Sequence, residues 1–146
     1  MNSIIITKTS VCAVFGLVGG CITQLFGGWS SDMTTLLIFM AVDFILGLIV
    51  AGVFGKSDKS ATGSLDSKAG WKGLCKKCVT FAFVLVAHRL DIALGTGYIK
   101  SATVIAFILN EIISITENAG LMGMPLPQVI KKAIDLLKER DDFGDY

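Results

Sequence analysis

The chain has 146 residues, of which 53% are hydrophobic and 17% charged, with a net charge of +1. Soluble domains carry about 25% charged residues, and a domain this small leaves much of its surface in water, so a mean hydropathy of +0.70 argues for a chain that uses a bilayer as solvent and against a soluble or peripheral interaction module. The near-neutral charge argues against nucleic acid as a partner, because neutralising phosphates takes a basic face.

A helix needs about 20 apolar residues to cross a hydrocarbon core of about 30 Å. Four stretches meet that length, at about residues 11–29, 33–54, 74–94 and 98–117. The expected fold is therefore an all-α integral membrane protein, with about four transmembrane helices in residues 1–124 and a cytoplasmic amphipathic tail in 125–146. The first stretch follows Lys8 and resembles a secretory signal, but no clean small-x-small cleavage site follows and further spans come directly after it, so it is read as a retained helix. Gly27, Gly28, Ser30, Ser31 and Asp32 form a short turn, and Gly55 to Lys72 reads as a polar, solvated loop. Gly95, Thr96 and Gly97 make a tight turn before the fourth span. Pro125 and Pro127 stop the helix. Beyond them Val129, Ile130, Ala133, Ile134 and Leu137 form one apolar stripe over Gln128 to Arg140.

Basic residues orient these spans. Eleven of the thirteen lie before span one, in the tail, or in the loop between spans two and three, with which Lys76 and Lys77 at the start of span three are counted. The positive-inside bias then puts both termini and the long loop in the cytoplasm, which requires an even number of spans. Lys131, Lys132, Lys138 and Arg140 in the tail suit anionic lipid or a merely solvated end.

No catalytic or cofactor site is expected. Cys75 and Cys78 form a lone CxxC, and zinc wants four ligands. Cys12 and Cys21 lie in an apolar run and read as small hydrophobes. His88 has no nucleophile at a recognisable spacing, and no glycine-rich phosphate loop precedes a lysine.

The informative residues are polar groups within the spans, each of which costs roughly 2.5 to 3.5 kcal/mol on insertion scales. Asp43 is about 16 Å and Arg89 about 22 Å from the cytoplasmic ends of their spans, so Asp43 is expected to contact Arg89 or His88. That pair serves either as a staple between spans two and three or as a charge that responds to membrane potential. Asn110, Glu111, Ser114, Glu117 and Asn118 recur on one face of span four. Such a face serves either interhelical hydrogen bonding or the wall of a water-filled lesion. Cys12, Gly16 and Gly20, four residues apart, suit close helix approach and self-association.

Three segments also resemble a known family. They are Asp43-x3-Gly47-x3-Ala51, then Ser67, Gly70, Gly73, Leu74, Lys76 and Lys77, and then Asn110-Glu111-x2-Ser114-Ile115-x-Glu117-Asn118 followed by Gly120, Gly123, Pro125 and Pro127. Together, from Asp43 to Lys138, they resemble the bacteriophage holins of the toxin-secretion/phage-lysis type. The resemblance implies a protein that oligomerises with itself in the bacterial cytoplasmic membrane and opens holes for an endolysin or a signal-less toxin. It also adds Gly47 and Ala51 to Gly16 and Gly20 as helix-packing positions. An antiholin or a small non-lytic transporter or regulator subunit is the alternative of similar size and hydropathy.

Overall fold

The computed structural model describes residues 2–59, 62–63, 65–132 and 136, with the backbone alone for 2–11. It is helical throughout its regular structure: α1 (Asn2–Leu25), α2 (Ser31–Ile49) prolonged by a π-helical segment (Val50–Phe54), α3 (Ser67–Leu94) and α4 (Ile99–Leu121). Two helical stretches, Ser31–Phe54 and Ile99–Leu121, are long and apolar enough to cross a membrane. At 1.5 Å per residue they measure about 36 and 34 Å. α3 is longer, at 28 residues, but Lys68, Lys72, Lys76 and Lys77 interrupt its first half. Of the expected tail helix, 128–132 are helical; Ala133, Ile134, Leu137, Lys138 and Arg140 lie outside the described residues.

Helix α3 starts at Ser67, so residues 67–72, expected in the loop, are helical. The cause is local. Asp66 is extended and its carboxylate accepts the backbone N–H of Lys68 at 2.9 Å, satisfying a donor that the first turn leaves free. At the other end Gly95 adopts φ +67° and closes α3 with its N–H on the Asp91 carbonyl, a left-handed stop that favours glycine. The Asp91 carboxylate then accepts from the Thr96 hydroxyl at 2.6 Å and from the backbone N–H groups of Ile99 and Lys100 at 3.0 and 2.8 Å. One side chain thus fixes the α3–α4 turn and caps α4.

α2, α3 and α4 form the bundle. Asp91 sits beside the start of α4, whereas Asp43, twelve residues into α2, meets Ser114 and Asn118 in the second half of α4. α2 and α4 are therefore parallel and α3 runs against both. The buried residues of α2 and its extension (Met33, Leu36, Met40, Asp43, Val50) recur at intervals of three, four and seven. Those of α4 include Val104, Glu111 and Asn118, seven apart. This is the seam expected of helices packed side by side. Met33, Leu36, Val84 and Val104 are completely buried, and with Phe26 and Met40 they form an apolar cluster at the end of the bundle away from the long loop.

The exterior is apolar. Phe15 is 74% exposed and Val53 75%, while Asp43, Asp91 and Glu111 are buried. A soluble protein has the reverse distribution.

α1 is anchored at its C-terminal end. Phe26 enters the core and meets Phe81 edge-on, Trp29 stacks on Phe81, and the Lys100 ammonium donates to the carbonyls of Phe26 and Gly28. Gly27 has φ +67°, and a Cβ there would collide with the His88 ring. The described side chains of α1 before this anchor, from Cys12 to Ile22, are exposed.

Gly27→Ala should therefore strain the backbone and displace the His88 ring together. We expect the thermal unfolding midpoint in detergent to fall by several degrees, as a loss of roughly 1–2 kcal/mol produces. Adding His88→Gly should recover only part of the loss, since the positive φ remains. Full recovery would place the whole effect in the ring contact.

Candidate functional site: a buried ion network at mid-bundle

The stripe that carries Met33, Leu36 and Met40 into the core places Asp43 at its next inward position. Lys77, seven residues before Val84 on α3, and Glu111, seven after Val104 on α4, arrive at the same level. The Lys77 ammonium donates to Asp43 Oδ2 at 2.9 Å and to Glu111 Oε2 at 2.6 Å. Ser114 Oγ donates to Asp43 Oδ1 at 2.6 Å, and Asn118 Nδ2 donates to the same oxygen at 2.9 Å. Asp43 thereby holds three donors from two helices. Gly47, one turn along α2, faces Asn118, and a Cβ there would make only an ordinary contact at 4.0 Å with Asn118 Nδ2.

Each of the three groups stands about 15 Å from the nearer end of its helix at 1.5 Å per residue, a distance equal to half of a hydrocarbon core of about 30 Å. Removing charges from water costs several kcal/mol each, and only close pairing with further hydrogen bonds offsets it. The network meets that demand. With all three groups ionised it carries one net negative charge.

A cavity of about 660 Å³ lies on the long-loop side of the network. Asp43, Lys77, Glu111 and Ser114 form its floor, and Asn110 and Glu117 line its wall.

The five polar residues read on one face of span four thus divide. Glu111, Ser114 and Asn118 turn inward onto Lys77 and Asp43, whereas Asn110 and Glu117 are exposed. The expected contact of Asp43 with Arg89 or His88 is replaced by the one with Lys77. Arg89 is exposed and twelve residues beyond Lys77, about 18 Å along α3; His88 packs on Gly27. The depth count that favoured Arg89 started α3 at Leu74, and a helix starting at Ser67 brings Lys77 to the level of Asp43. Of the small residues, Ala51 is buried, while Gly16 and Gly20 have no neighbour within 4 Å of a Cβ position.

Lys77 and Asp91 were the residues missed. Lys77 reads in the sequence as one of the loop lysines that set orientation. Its spacing of seven to Val84 and fourteen to Asp91 was the available signal.

Lys77→Met should strand two buried carboxylates. The expected cost is about 3–5 kcal/mol, seen as a large fall in the detergent unfolding midpoint or in membrane abundance. The triple change Asp43→Asn, Lys77→Met, Glu111→Gln removes the charges together and should restore most of the loss. A triple variant as unstable as the single one would show that packing, not charge pairing, governs the site.

The chain is 35% identical to an uncharacterized protein of Halalkalibacterium halodurans, over 84% of this chain and 89% of the other. It is 36% identical to a 14.9 kDa protein in the nagH 3' region of Clostridium perfringens, over 84% and 89%. It is 32% identical to a probable holin of Bacillus phage phi105, over 73% and 74%. No solved structure is a significant match. The model of the bacteriophage holin family matches residues 20–139, a range that takes in α2, α3, α4 and every residue of the network, and the chain belongs to that family of membrane proteins.

Proposed function

We propose that the chain is a holin that gathers in the bacterial cytoplasmic membrane, oligomerises, and opens holes through which an endolysin or a signal-less toxin leaves the cell. In this reading all four long helices span the bilayer and both termini are cytoplasmic. The positive-inside bias supports that orientation. So does the placing of the lysine-rich α2–α3 loop and the C-terminal end of α4 at one end of the bundle.

The observation that carries the proposal is the ion network bridging α4 to α2 and α3. Its charges are tolerable in two situations: paired inside a closed bundle, or facing water. A membrane protein with such a core has a stable closed state and, once bundles associate and α4 turns toward a shared lumen, a second state in which water replaces the pairing. Asn110 and Glu117, already exposed beside the network, extend the polar surface such a lumen needs. Gly16 and Gly20, on the exposed face of α1, offer close approach to a second copy.

The test is inducible expression in a bacterium, with and without an endolysin. Abrupt loss of membrane potential at a reproducible time, with lysis requiring both proteins, is the expected result; steady growth at confirmed membrane abundance overturns the proposal. Glu111→Gln should shift the onset while leaving abundance unchanged. An unaltered onset would remove α4 from the mechanism.

A further inference from the structure

The bundle is divided at the level of Lys77 into two unlike halves. On the long-loop side, the cavity runs from the loop residues Ser57 and Lys59 to its floor at Asp43 and Glu111, and backbone and polar groups of all three helices line it. On the other side Met33, Leu36, Val84 and Val104 are wholly excluded from solvent, Met40 nearly so, and Phe81, Leu85 and Phe107 pack around them. Beyond that layer the end is tied by Asp91 on the α4 N-terminus and by Lys100 on the carbonyls of Phe26 and Gly28.

From this division we propose that a single closed chain holds a one-sided aqueous vestibule, admitting water and small cations from the long-loop end to mid-membrane and stopped there by the apolar layer. Three arguments support it. Apolar side chains such as Phe44, Leu48 and Ile113 share the cavity wall with ionised and hydroxyl ones, and the ionised groups at the floor are stable when water reaches them and costly when lipid tails do. The volume of about 660 Å³ holds many waters at about 30 Å³ each. The floor carries two carboxylates against one ammonium, so the potential at the dead end favours cations over anions. The plug offers no polar partner to a water molecule, and narrow apolar layers of this kind close pathways by dewetting. The plug is then the barrier that any opening must displace, and Met33, Leu36, Val84 and Val104 are its gate residues. This goes beyond hole formation by oligomers and does not depend on it.

Cysteine accessibility in the full chain tests the vestibule. Cys12, Cys21, Cys75 and Cys78 are first changed to Ser, and Thr80→Cys, Ile113→Cys or Val104→Cys is introduced singly. Sealed vesicles of each orientation are exposed to a membrane-impermeant methanethiosulfonate carrying a quaternary ammonium, and to its sulfonate counterpart. We expect Thr80→Cys and Ile113→Cys, on the cavity wall, to react from the long-loop side at least about tenfold faster than from the other, and faster with the cationic reagent. Val104→Cys should stay unmodified from both sides until the vesicles are dissolved in denaturant. Wall cysteines unreactive from both sides mean a lipid-filled or collapsed cavity and overturn the proposal. Equal rates from the two sides, or a reactive Val104→Cys, overturn the plug. None of these readouts needs lysis, so a chain that fails as a holin still answers the question.

Discussion

One ammonium group between two carboxylates organises this molecule. Among the described residues Lys77 is the single side chain that touches charges on both α2 and α4, and those two helices are parallel, a relation that no short turn between them enforces. A central antiparallel helix with a cation at its inward position solves the problem: it draws an acidic residue from each neighbour to the same depth. Ser114 and Asn118 then complete Asp43 from the α4 side. The apolar seam contributes packing, but in lipid it gives little preference for one register over another. A misaligned pair of charges in the same medium is heavily penalised, so the network sets the register.

A second consequence concerns how the bundle is able to change state. Packed apolar helices in lipid have no water to exclude and separate at modest cost. Paired charges separate only if water arrives. In the proposed opening, helix α4 would pass from a paired to a hydrated condition with few tolerable intermediates, as a switch does and a gradual leak does not.

Much of this was legible in the sequence, and the failures are specific. Apolar runs of sufficient length marked α2 and α4, because a bilayer imposes its thickness on sequence directly. The turns at Gly27 and Gly95 were readable because left-handed conformations favour glycine. Glu111, Ser114 and Asn118 were found through their shared face on α4. The partner of Asp43 was not. Lys77 stands five residues beyond the loop that ends at Lys72 and invites a surface assignment, and its role appears only once Asp66 is seen to start α3 early. Asp91 escaped notice because its partners are backbone N–H groups, which no side-chain pattern records. The standing of α1 was equally hidden: its composition suits a bundle helix, yet it meets the others through Phe26, Gly27 and Trp29 at one end.

The position of Lys77 along the chain also bears on biogenesis. Asp43 emerges from the ribosome first, Lys77 next and Glu111 last. α3, with four lysines in its first eleven residues, is poorly suited to partition into lipid by itself, whereas α2 and α4 are apolar enough to do so. The aspartate already seated in α2 gives the incoming lysine a partner, and the glutamate of α4 closes the set. On the proposed four-span topology, insertion of the middle helix would be guided by the element made before it and locked by the one made after.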